Sequence, residues 1–137
     1  MNVQGYNMPD DLYYHKEHVW AKVEGNRVKV GITDFTQKRA GEISYVESPM
    51  KGDKVSQDDE VGTIETGKWV GKVHAPVSGT VTASNEEIMD DPTVINSDPY
   101  GKGWIFEIEM SDKSELENLM RGEFASSWLA GEIKKHG

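Results

Sequence analysis

The sequence predicts a mainly β protein, built as a small barrel or sandwich. Apolar and polar residues alternate in residues 27–32 (RVKVGI) and again in residues 104–110 (WIFEIEM), which is the two-residue period of a strand. Glycines recur every several residues between Gly25 and Gly103, which favours short strands joined by turns over long helices. With 137 residues, the chain is expected to form one compact core with a terminal appendage.

The strand predictions rest on residues that share a face. Val28, Val30 and Ile32 lie two residues apart in the first strand. In the later strand the alternation runs through Ile108 and Met110, and it leaves open whether Ile105 or Phe106 begins the apolar face. A faint internal repeat is also present, because AGEISYVE (40–47) and SGTVTASN (78–85) both set a small residue and a glycine before a β-branched segment.

A short helix is predicted between the first strand and the middle of the chain. In residues 33–41 (TDFTQKRAG), either Thr33 or Asp34 can act as the N-cap, because both side chains can accept a hydrogen bond from a free backbone N–H. Gly41 can end the helix, because glycine adopts the left-handed conformation that is common just after a helix.

The C-terminal part of the chain carries two further helix signals. Ser114 is followed three residues later by Glu117, which is a capping-box pattern that predicts a helix opening at Ser114. The last segment is expected either to dock on the core or to fray. Its apolar residues are spaced as in a helix, at Phe124, Trp128, Leu129 and Ile133.

A β-hairpin is predicted at residues 61–76, with its tip at residues 65–71. VGTIE enters the turn and GKVHAP leaves it, so Lys68 lies at the most protruding point, between Gly67 and Trp69. A lysine at a turn tip is ordinarily only a solvated charge. A function for Lys68 therefore needs further support from the surrounding sequence.

Composition excludes several classes of function. The formal net charge of −9 disfavours nucleic acids and anionic membranes as partners, because both are repelled at long range. There is no cysteine, so disulfides, thiolate metal sites and cysteine nucleophiles are excluded. The opening MNVQGYNMPDD lacks a signal-peptide pattern, and no stretch approaches the roughly 20 apolar residues of a membrane span. A cytoplasmic protein is expected.

Catalytic and metal signals are weak. No nucleophile with a base in reach and no pair of carboxylates can be identified, so an enzyme is not expected. His15 and His18 stand three residues apart, but no third metal ligand is indicated. Residues 90–104 lack the ladder of a calcium loop, and the glycines around Lys102 lack the frame of a phosphate loop.

Six segments follow one another in a recognisable order and spacing. They are YHKEHVW (14–20), VGITDFTQ (30–37), GEISYVESP (41–49), VGTIETGK (61–68), APVSGTV (75–81) and INSDPYGKGWIFEIE (95–109). Together they resemble the glycine cleavage H-protein family over about residues 12–120. One such string is weak evidence, but six collinear strings are specific.

The resemblance implies a fold and a domain organisation. The fold expected is the lipoyl/biotinyl hammerhead-like barrel-sandwich hybrid, with a short internal helix and C-terminal helices. Residues 1–122 would form the lipoyl domain and residues 123–137 a helical extension that is dispensable for the core. The core is expected to include Trp20, Ile32, Val46, Ile64, Val81 and Phe106.

The resemblance also implies a function for Lys68. The string Glu65-Thr66-Gly67-Lys68 places the lysine eight residues before Pro76, as in the lipoylation motif of the family. Lys68 is therefore expected to carry lipoate as a covalent cofactor, and Trp69 completes the surrounding motif. Once acylated, the lysine loses its charge and bears a cyclic disulfide on a flexible arm, so the chain is expected to be a carrier and not an enzyme.

Several residues depart from the family pattern. Where the family usually has glutamate in a His-Glu-Trp string, the chain has Val19, and an aspartate four residues after the lysine is replaced by Lys72. Trp69 and Val70 replace two small residues. Each change also has a plain structural interpretation, because Val19 can face the core, Lys72 can be a solvated charge and Trp69 can pack over its hairpin.

Family position further places Arg39 and His74 near the expected arm cleft, beside Val19 and Lys72. A cleft that loses carboxylates and gains a cation suits a neutral or anionic cargo better than a cationic aminomethyl group. This favours the lipoate-binding relatives of sulfur-oxidising pathways, with a heterodisulfide-reductase-like complex as partner.

Two other functions stay open. The first is glycine cleavage itself, with the arm carrying the aminomethyl group from glycine decarboxylase to the folate aminomethyltransferase and dihydrolipoyl dehydrogenase reoxidising it. The second is an unmodified or biotinylated binding module, which Gly67 and Trp69 disfavour because biotin carriers set methionines beside the lysine. Either lipoyl function requires a lipoate ligase or lipoyl-assembly enzymes as partners.

Overall fold

The structure is a computed structural model that describes residues 1–136, and its fold is mainly β. Its strands are β1 (Asn2–Val3), β2 (Tyr6–Asn7), β3 (Tyr13–His15), β4 (Val19–Glu24), β5 (Arg27–Ile32), β6 (Ile43–Glu47), β7 (Lys54–Val55), β8 (Glu60–Thr66), β9 (Val70–His74), β10 (Gly79–Ser84) and β11 (Phe106–Met110). Its helices are α1 (Asp34–Ala40), α2 (Glu86–Asp90), α3 (Val94–Ser97) and α4 (Gly122–His136), with a 3₁₀ helix at Lys113–Asn118.

The strands form antiparallel sheets. The largest has the order β3-β4-β5-β11-β10-β7, a second has the order β6-β8-β9, and β1 pairs with β2. The predicted repeat segments therefore lie in different sheets, β6 in the smaller and β10 in the larger. The small sheet carries the β8–β9 hairpin, so it is the element that positions Lys68.

Strand β4 lies between two hydrophobic clusters. Val19 and Ala21 belong to the first cluster, between the sheets, whereas Trp20 belongs to the second, beneath α4. The Trp20 ring lies directly on Gly31, where an added Cβ would come within 2.6 Å of the indole. The predicted core residues are all buried, which confirms the set Trp20, Ile32, Val46, Ile64, Val81 and Phe106.

The two alternating segments form β5 and β11, as predicted. Strand β11 begins at Phe106, so Phe106, Ile108 and Met110 share a face. Ile105 is fully buried as well, because its N–H donates to the carbonyl of Val30 and draws it against β5. Phe106 therefore begins the apolar face of β11, and Ile105 is buried just before the strand.

Helix α1 begins and ends where its sequence predicts. The Thr33 side chain accepts a hydrogen bond from the N–H of Thr36, so Thr33 is the N-cap and Asp34 is the first helical residue. Gly41 follows the helix with φ 89°, and its N–H donates to the carbonyl of Gln37. A side chain at this left-handed φ would be strained, which is the physical reason for glycine there.

One prediction for the C-terminal segments is wrong in detail. The capping box at Ser114 does not form, because the Asp112 carboxylate accepts the N–H of Ser114 and opens a 3₁₀ helix two residues earlier. Phe124 is 72% exposed because α4 faces the core with a stripe through Ala125 and Leu129. The helix does dock, and the predicted division of the chain after residue 122 stays a prediction.

The carboxylate of Asp34 ties α1 to the N-terminal segment. It accepts hydrogen bonds from the N–H of Asn7 at 2.9 Å and from the Gln37 amide at 2.7 Å, and Lys38 Nζ lies 3.1 Å away. Burial raises the pKa of Asp34, but these three donors outweigh burial and hold its pKa below the usual value.

Replacing this carboxylate is expected to destabilise the protein in a pH-dependent way. Asp34→Asn should lower the free energy of unfolding by about 1–3 kcal/mol at pH 7, because it leaves buried donors poorly paired. A depressed folded-state pKa stabilises above the unfolded pKa of about 4, and this contribution is lost as the pH falls through the folded pKa. Urea titrations at pH 7 and pH 3 should show the gap to the wild type narrowing in acid. The same gap at both pH values, or an equal loss in Asp90→Asn at an exposed site, would contradict the assignment.

No helix within residues 1–136 combines the length and the apolar character needed to cross a membrane.

Candidate functional site

Lys68 lies in a three-residue loop, residues 67–69, at the end of the β8–β9 hairpin. The N–H of Thr66 donates to the carbonyl of Trp69 at 2.8 Å and closes the turn, and the Thr66 hydroxyl accepts the N–H of Lys68 at 3.3 Å. Gly67, Lys68 and Trp69 are exposed. The turn therefore holds the backbone of Lys68 in a fixed position while its amine is open to solvent.

The side chain of Lys68 extends towards the end of α1. A Cβ added at Gly41 would lie 3.6 Å from Lys68 Cε and 4.0 Å from Nζ. These are ordinary van der Waals distances, so the lysine side chain passes beside Gly41. The amine is consequently placed between the hairpin and α1.

The space between the hairpin and α1 is a cavity of about 390 Å³, here named the first cavity. Lys68 and Trp69 line it from the hairpin, and Phe35, Arg39 and Ala40 line it from α1. None of its lining residues within the described part of the chain is a carboxylate. The walls next to the Lys68 amine are therefore apolar or cationic.

A second cavity, of about 460 Å³, opens on the other side of Trp69. The two cavities share His18, Thr36 and Trp69 in their walls. The second cavity differs from the first in charge, since it contains Glu17 and Glu60. Trp69 and its neighbours thus separate a space without carboxylates from a space with two.

Trp69 is seated on its own hairpin. A Cβ added at Gly71 would come within 2.0 Å of the indole ring, so the ring covers the backbone of Gly71 directly. Gly71 pairs with Ile64, which is buried, so the two share the inner face of the small sheet. The Trp69 ring therefore folds towards that inner face. The prediction that Trp69 packs over its hairpin is confirmed, and the ring remains 40% exposed.

His18 joins both cavities to the C-terminal helix. Its Nε2 lies 2.9 Å from the carboxylate of Glu132, and its ring centroid lies 4.7 Å from that of Trp128 and 5.0 Å from that of Phe35. The sequence indicates His18 only as a weak metal candidate. Its contact with Glu132 spans 114 residues, and no local pattern signals it.

His15 and His74 also take part in hydrogen bonds and ion pairs. His15 Nδ1 accepts the N–H of Glu17, so its Nε2–H donates to Asp58, and this hydrogen bond lowers the pKa of the Asp58 carboxyl. His74 stacks on His15 at 6.1 Å, and its Nε2 lies 3.9 Å from Glu60. Within residues 1–136, no group of three or more histidine and carboxylate side chains is arranged to hold a metal ion.

The structure divides the four residues expected in the arm cleft. Arg39 lines the first cavity, and Lys72 and His74 line the second. Val19 lines neither cavity, because both faces of β4 are covered and Val19 is fully buried in the first cluster. Glu65 and Thr66 lie at the end of β8, where they build the hairpin and do not line either cavity.

The side chain of Lys72 is directed away from the first cavity. Strand pairing sets Lys72 opposite Thr63, and Thr63 opposite Glu47. Directly paired residues share a face, so these three lie on the outer face of the small sheet, opposite to Ile64 and Gly71. Lys72 therefore contributes to the rim of the second cavity. It shares the outer face of the small sheet with the acidic residue Glu47.

Both the sequence and the fold of the chain are similar to those of known proteins. The family model described as Glycine cleavage H-protein matches residues 12–131. A glycine cleavage system H protein of Staphylococcus saprophyticus is 47% identical over 122 residues, covering 89% of this chain and 97% of that protein. One of Salinibacter ruber is 49% identical over 112 residues, covering 82% and 90%.

A solved structure gives the same result. The crystal structure of a glycine cleavage system H protein from Mycobacterium marinum aligns with a TM-score of 0.78 and 31% sequence identity, covering 93% of this chain and 99% of that one. This neighbour confirms the expected barrel-sandwich architecture. The sequence and the fold agree, and the chain belongs to the glycine cleavage H-protein family.

Proposed function

We propose that the chain is the lipoyl carrier of a glycine cleavage system and that Lys68 is the residue that bears the lipoyl group. Members of the family are covalent cofactor carriers, not enzymes, and they hold lipoate on a lysine. The observation that carries the assignment to Lys68 is its place at the tip of a closed turn, exposed and directed into a cavity of about 390 Å³.

The hairpin suits Lys68 to modification better than the neighbouring Lys72. A modifying enzyme must enclose the lysine and its backbone, which a protruding three-residue loop allows. Lys72 lies within β9, whose backbone is paired with β8 along one side, so an enzyme cannot enclose it from both sides as it can the turn. The proposal therefore predicts modification of Lys68 and not of Lys72.

The walls of the first cavity fit an acylated lysine. Acylation removes the positive charge of Lys68, so the chain no longer places two cations, Arg39 and Lys68, in one cavity. Phe35, Ala40 and Trp69 then offer apolar surface to the uncharged arm. When bound, the lipoyl group supplies a cyclic disulfide that partner enzymes reduce, load and reoxidise.

The partners that follow are the other glycine cleavage enzymes and a lipoate ligase. In the proposed cycle the arm accepts the aminomethyl group from glycine decarboxylase, delivers it to the folate aminomethyltransferase and is reoxidised by dihydrolipoyl dehydrogenase. The net charge of −9 favours docking to basic partner surfaces and speeds encounter at low salt.

Sulfur oxidation is a second candidate, with a heterodisulfide-reductase-like complex as the partner. The observation in its favour is the first cavity, which combines Arg39 with a lack of carboxylates among its described lining residues and so suits an anionic cargo. Its other support is weaker than the sequence indicates. Val19 is a core residue and Lys72 lies on the outer face of the sheet at the rim of the second cavity, so neither lines the cavity next to Lys68. The relatives are glycine cleavage H proteins, which ranks glycine cleavage first.

A loading assay tests whether glycine cleavage or sulfur oxidation is the better assignment. Lipoylated protein is incubated with glycine and a glycine decarboxylase, and the aminomethyl adduct is measured by intact mass, beside the Staphylococcus saprophyticus H protein. We expect loading within about tenfold of that relative, since a single partly exposed charge shifts an equilibrium by ~1 kcal/mol. Arg39→Gln should raise loading by about two- to fivefold, because it removes a cation from the cavity that the cationic cargo must share.

Negligible loading of fully lipoylated protein, together with sulfur exchange with a heterodisulfide-reductase-like complex, would reverse the order of the two candidates. Val19→Glu is not a usable variant in this assay. It places a carboxylate at a fully buried core position and so tests folding instead of cargo.

A further inference from the structure

We propose that Trp69 holds the dithiolane end of the lipoyl arm, so that its indole ring is the contact that keeps the arm docked on the protein. The inference rests on the proposed lipoylation of Lys68 and goes beyond it. It assigns an arm-holding role to a residue that is also part of the hairpin.

The first argument is position. Trp69 follows Lys68 directly, and both residues line the first cavity, towards which the lysine side chain passes over Gly41. An arm that continues from the Lys68 amine into this cavity runs between α1 and the indole. Trp69 is thus the large hairpin side chain that the arm meets before it can reach the second cavity.

The second argument is the fixed orientation of the ring. The indole lies on Gly71, whose hydrogen leaves no gap beneath it, since a Cβ there would overlap the ring. A ring supported in this way loses little freedom when it binds a ligand. Its 40% exposure leaves aromatic surface available for contact.

The third argument is chemistry. A dithiolane ring is small, uncharged and polarisable, and sulfur forms favourable contacts with aromatic rings. The other polar groups of the first cavity suit it less, because Arg39 is a cation and His18 is bound to Glu132. Phe35 and Ala40 complete an apolar wall opposite the indole. The cavity therefore recognises the uncharged arm through Trp69.

Fluorescence and reduction kinetics test the proposal on the full chain. Intact mass first establishes that the wild type, Trp69→Ala and Trp104→Phe carry equal lipoyl. Dithiothreitol then gives two electrons and two protons to the dithiolane, which opens to a dithiol while dithiothreitol forms its own cyclic disulfide. A disulfide in contact with an indole quenches its emission, so reduction should raise the tryptophan emission of the wild type. The rise should be absent in Trp69→Ala.

Trp104→Phe is the matched control, because Trp104 lines a different cavity and lies beneath Lys29. It should keep the full rise in emission. The reduction rate of the arm should be about two- to tenfold faster in Trp69→Ala than in the wild type, as expected for loss of a sulfur–aromatic contact. In Gly71→Ala the added Cβ displaces the Trp69 ring. Its emission rise and its reduction rate should lie between those of the wild type and Trp69→Ala.

The outcomes separate this inference from the proposed function. No lipoyl on the wild type overturns both. Equal lipoyl with an undiminished emission rise in Trp69→Ala, or with unchanged reduction rates, overturns the role of Trp69 and leaves lipoylation of Lys68 intact. An undiminished rise in Gly71→Ala overturns the seated geometry on which the role depends.

Discussion

Lys68→Arg is expected to abolish lipoylation and every carrier activity while leaving the fold intact. Arginine keeps the positive charge, but a guanidinium does not form the amide that joins lipoate to the protein. Lys68 is exposed at the turn, so its replacement removes no buried contact. Intact mass of protein produced with lipoate and a lipoate ligase should show the lipoyl increment in the wild type and none in the variant.

Lys72→Arg is the matched control for this variant, because it makes the same substitution four residues along the hairpin. It should be lipoylated like the wild type and should load like it. A lipoyl increment that survives in Lys68→Arg, or that disappears in Lys72→Arg, would falsify the assignment of the attachment site. Circular dichroism and thermal unfolding of both variants should match the wild type, since surface substitutions of this kind shift stability by about 0.5 kcal/mol or less.

The fold could be predicted from the sequence where its signals are local. Strands β5 and β11 follow from alternation, and the hairpin follows from the glycines around Lys68. Helix α1 was predictable at both ends because Thr33 and Gly41 act on their own neighbours. The cap at the 3₁₀ helix was not, since Asp112 and Ser114 are both residues that can cap a helix and only the folded chain shows that Asp112 accepts the N–H of Ser114.

The walls of the site depend on contacts between distant residues, which the sequence does not signal. His18 reaches the cavities because β4 brings it beside α1, and Glu132 reaches His18 because α4 docks on the second cluster. Val19 illustrates a second limit. Alternation identifies strands with one buried face, but β4 is covered on both faces, so a residue on the expected solvent side belongs to the core.

Strand register set the third limit. Family position alone placed Lys72 beside the arm, but pairing with Thr63 and Glu47 places it on the outer face of the small sheet. A one-residue change in register would reverse this result, because successive side chains point to opposite faces. A charge four residues from Lys68 therefore carries no meaning for the cargo until the register is known.

Trp20→Ala is expected to cause a large loss of stability. Trp20 is 1% exposed, its ring lies on Gly31, and its Nε1–H donates to the carbonyl of Pro99 at 2.9 Å. Alanine leaves a cavity of nearly the whole indole and an unpaired carbonyl, since Gly31 offers no side chain to fill the space. The free energy of unfolding should fall by about 3–5 kcal/mol, which is a large part of the 5–15 kcal/mol typical of a domain.

Trp69→Ala is the matched control, because it removes the same side chain from an exposed position. Urea denaturation should show a loss of about 1 kcal/mol for Trp69→Ala, well below the loss for Trp20→Ala, because the Trp69 ring is packed on one side only. Equal losses in the two variants would contradict the division between a core tryptophan and a hairpin tryptophan.

The two variants should also differ in arm docking, with the loss in Trp69→Ala and not in Trp20→Ala. Trp20 lies in the second cluster and the hairpin in the small sheet, so Trp20→Ala that remains folded should still be lipoylated on Lys68 and should still dock its arm. Trp69→Ala should be stable and lipoylated but should release the arm, which places stability and arm retention on different tryptophans of one chain.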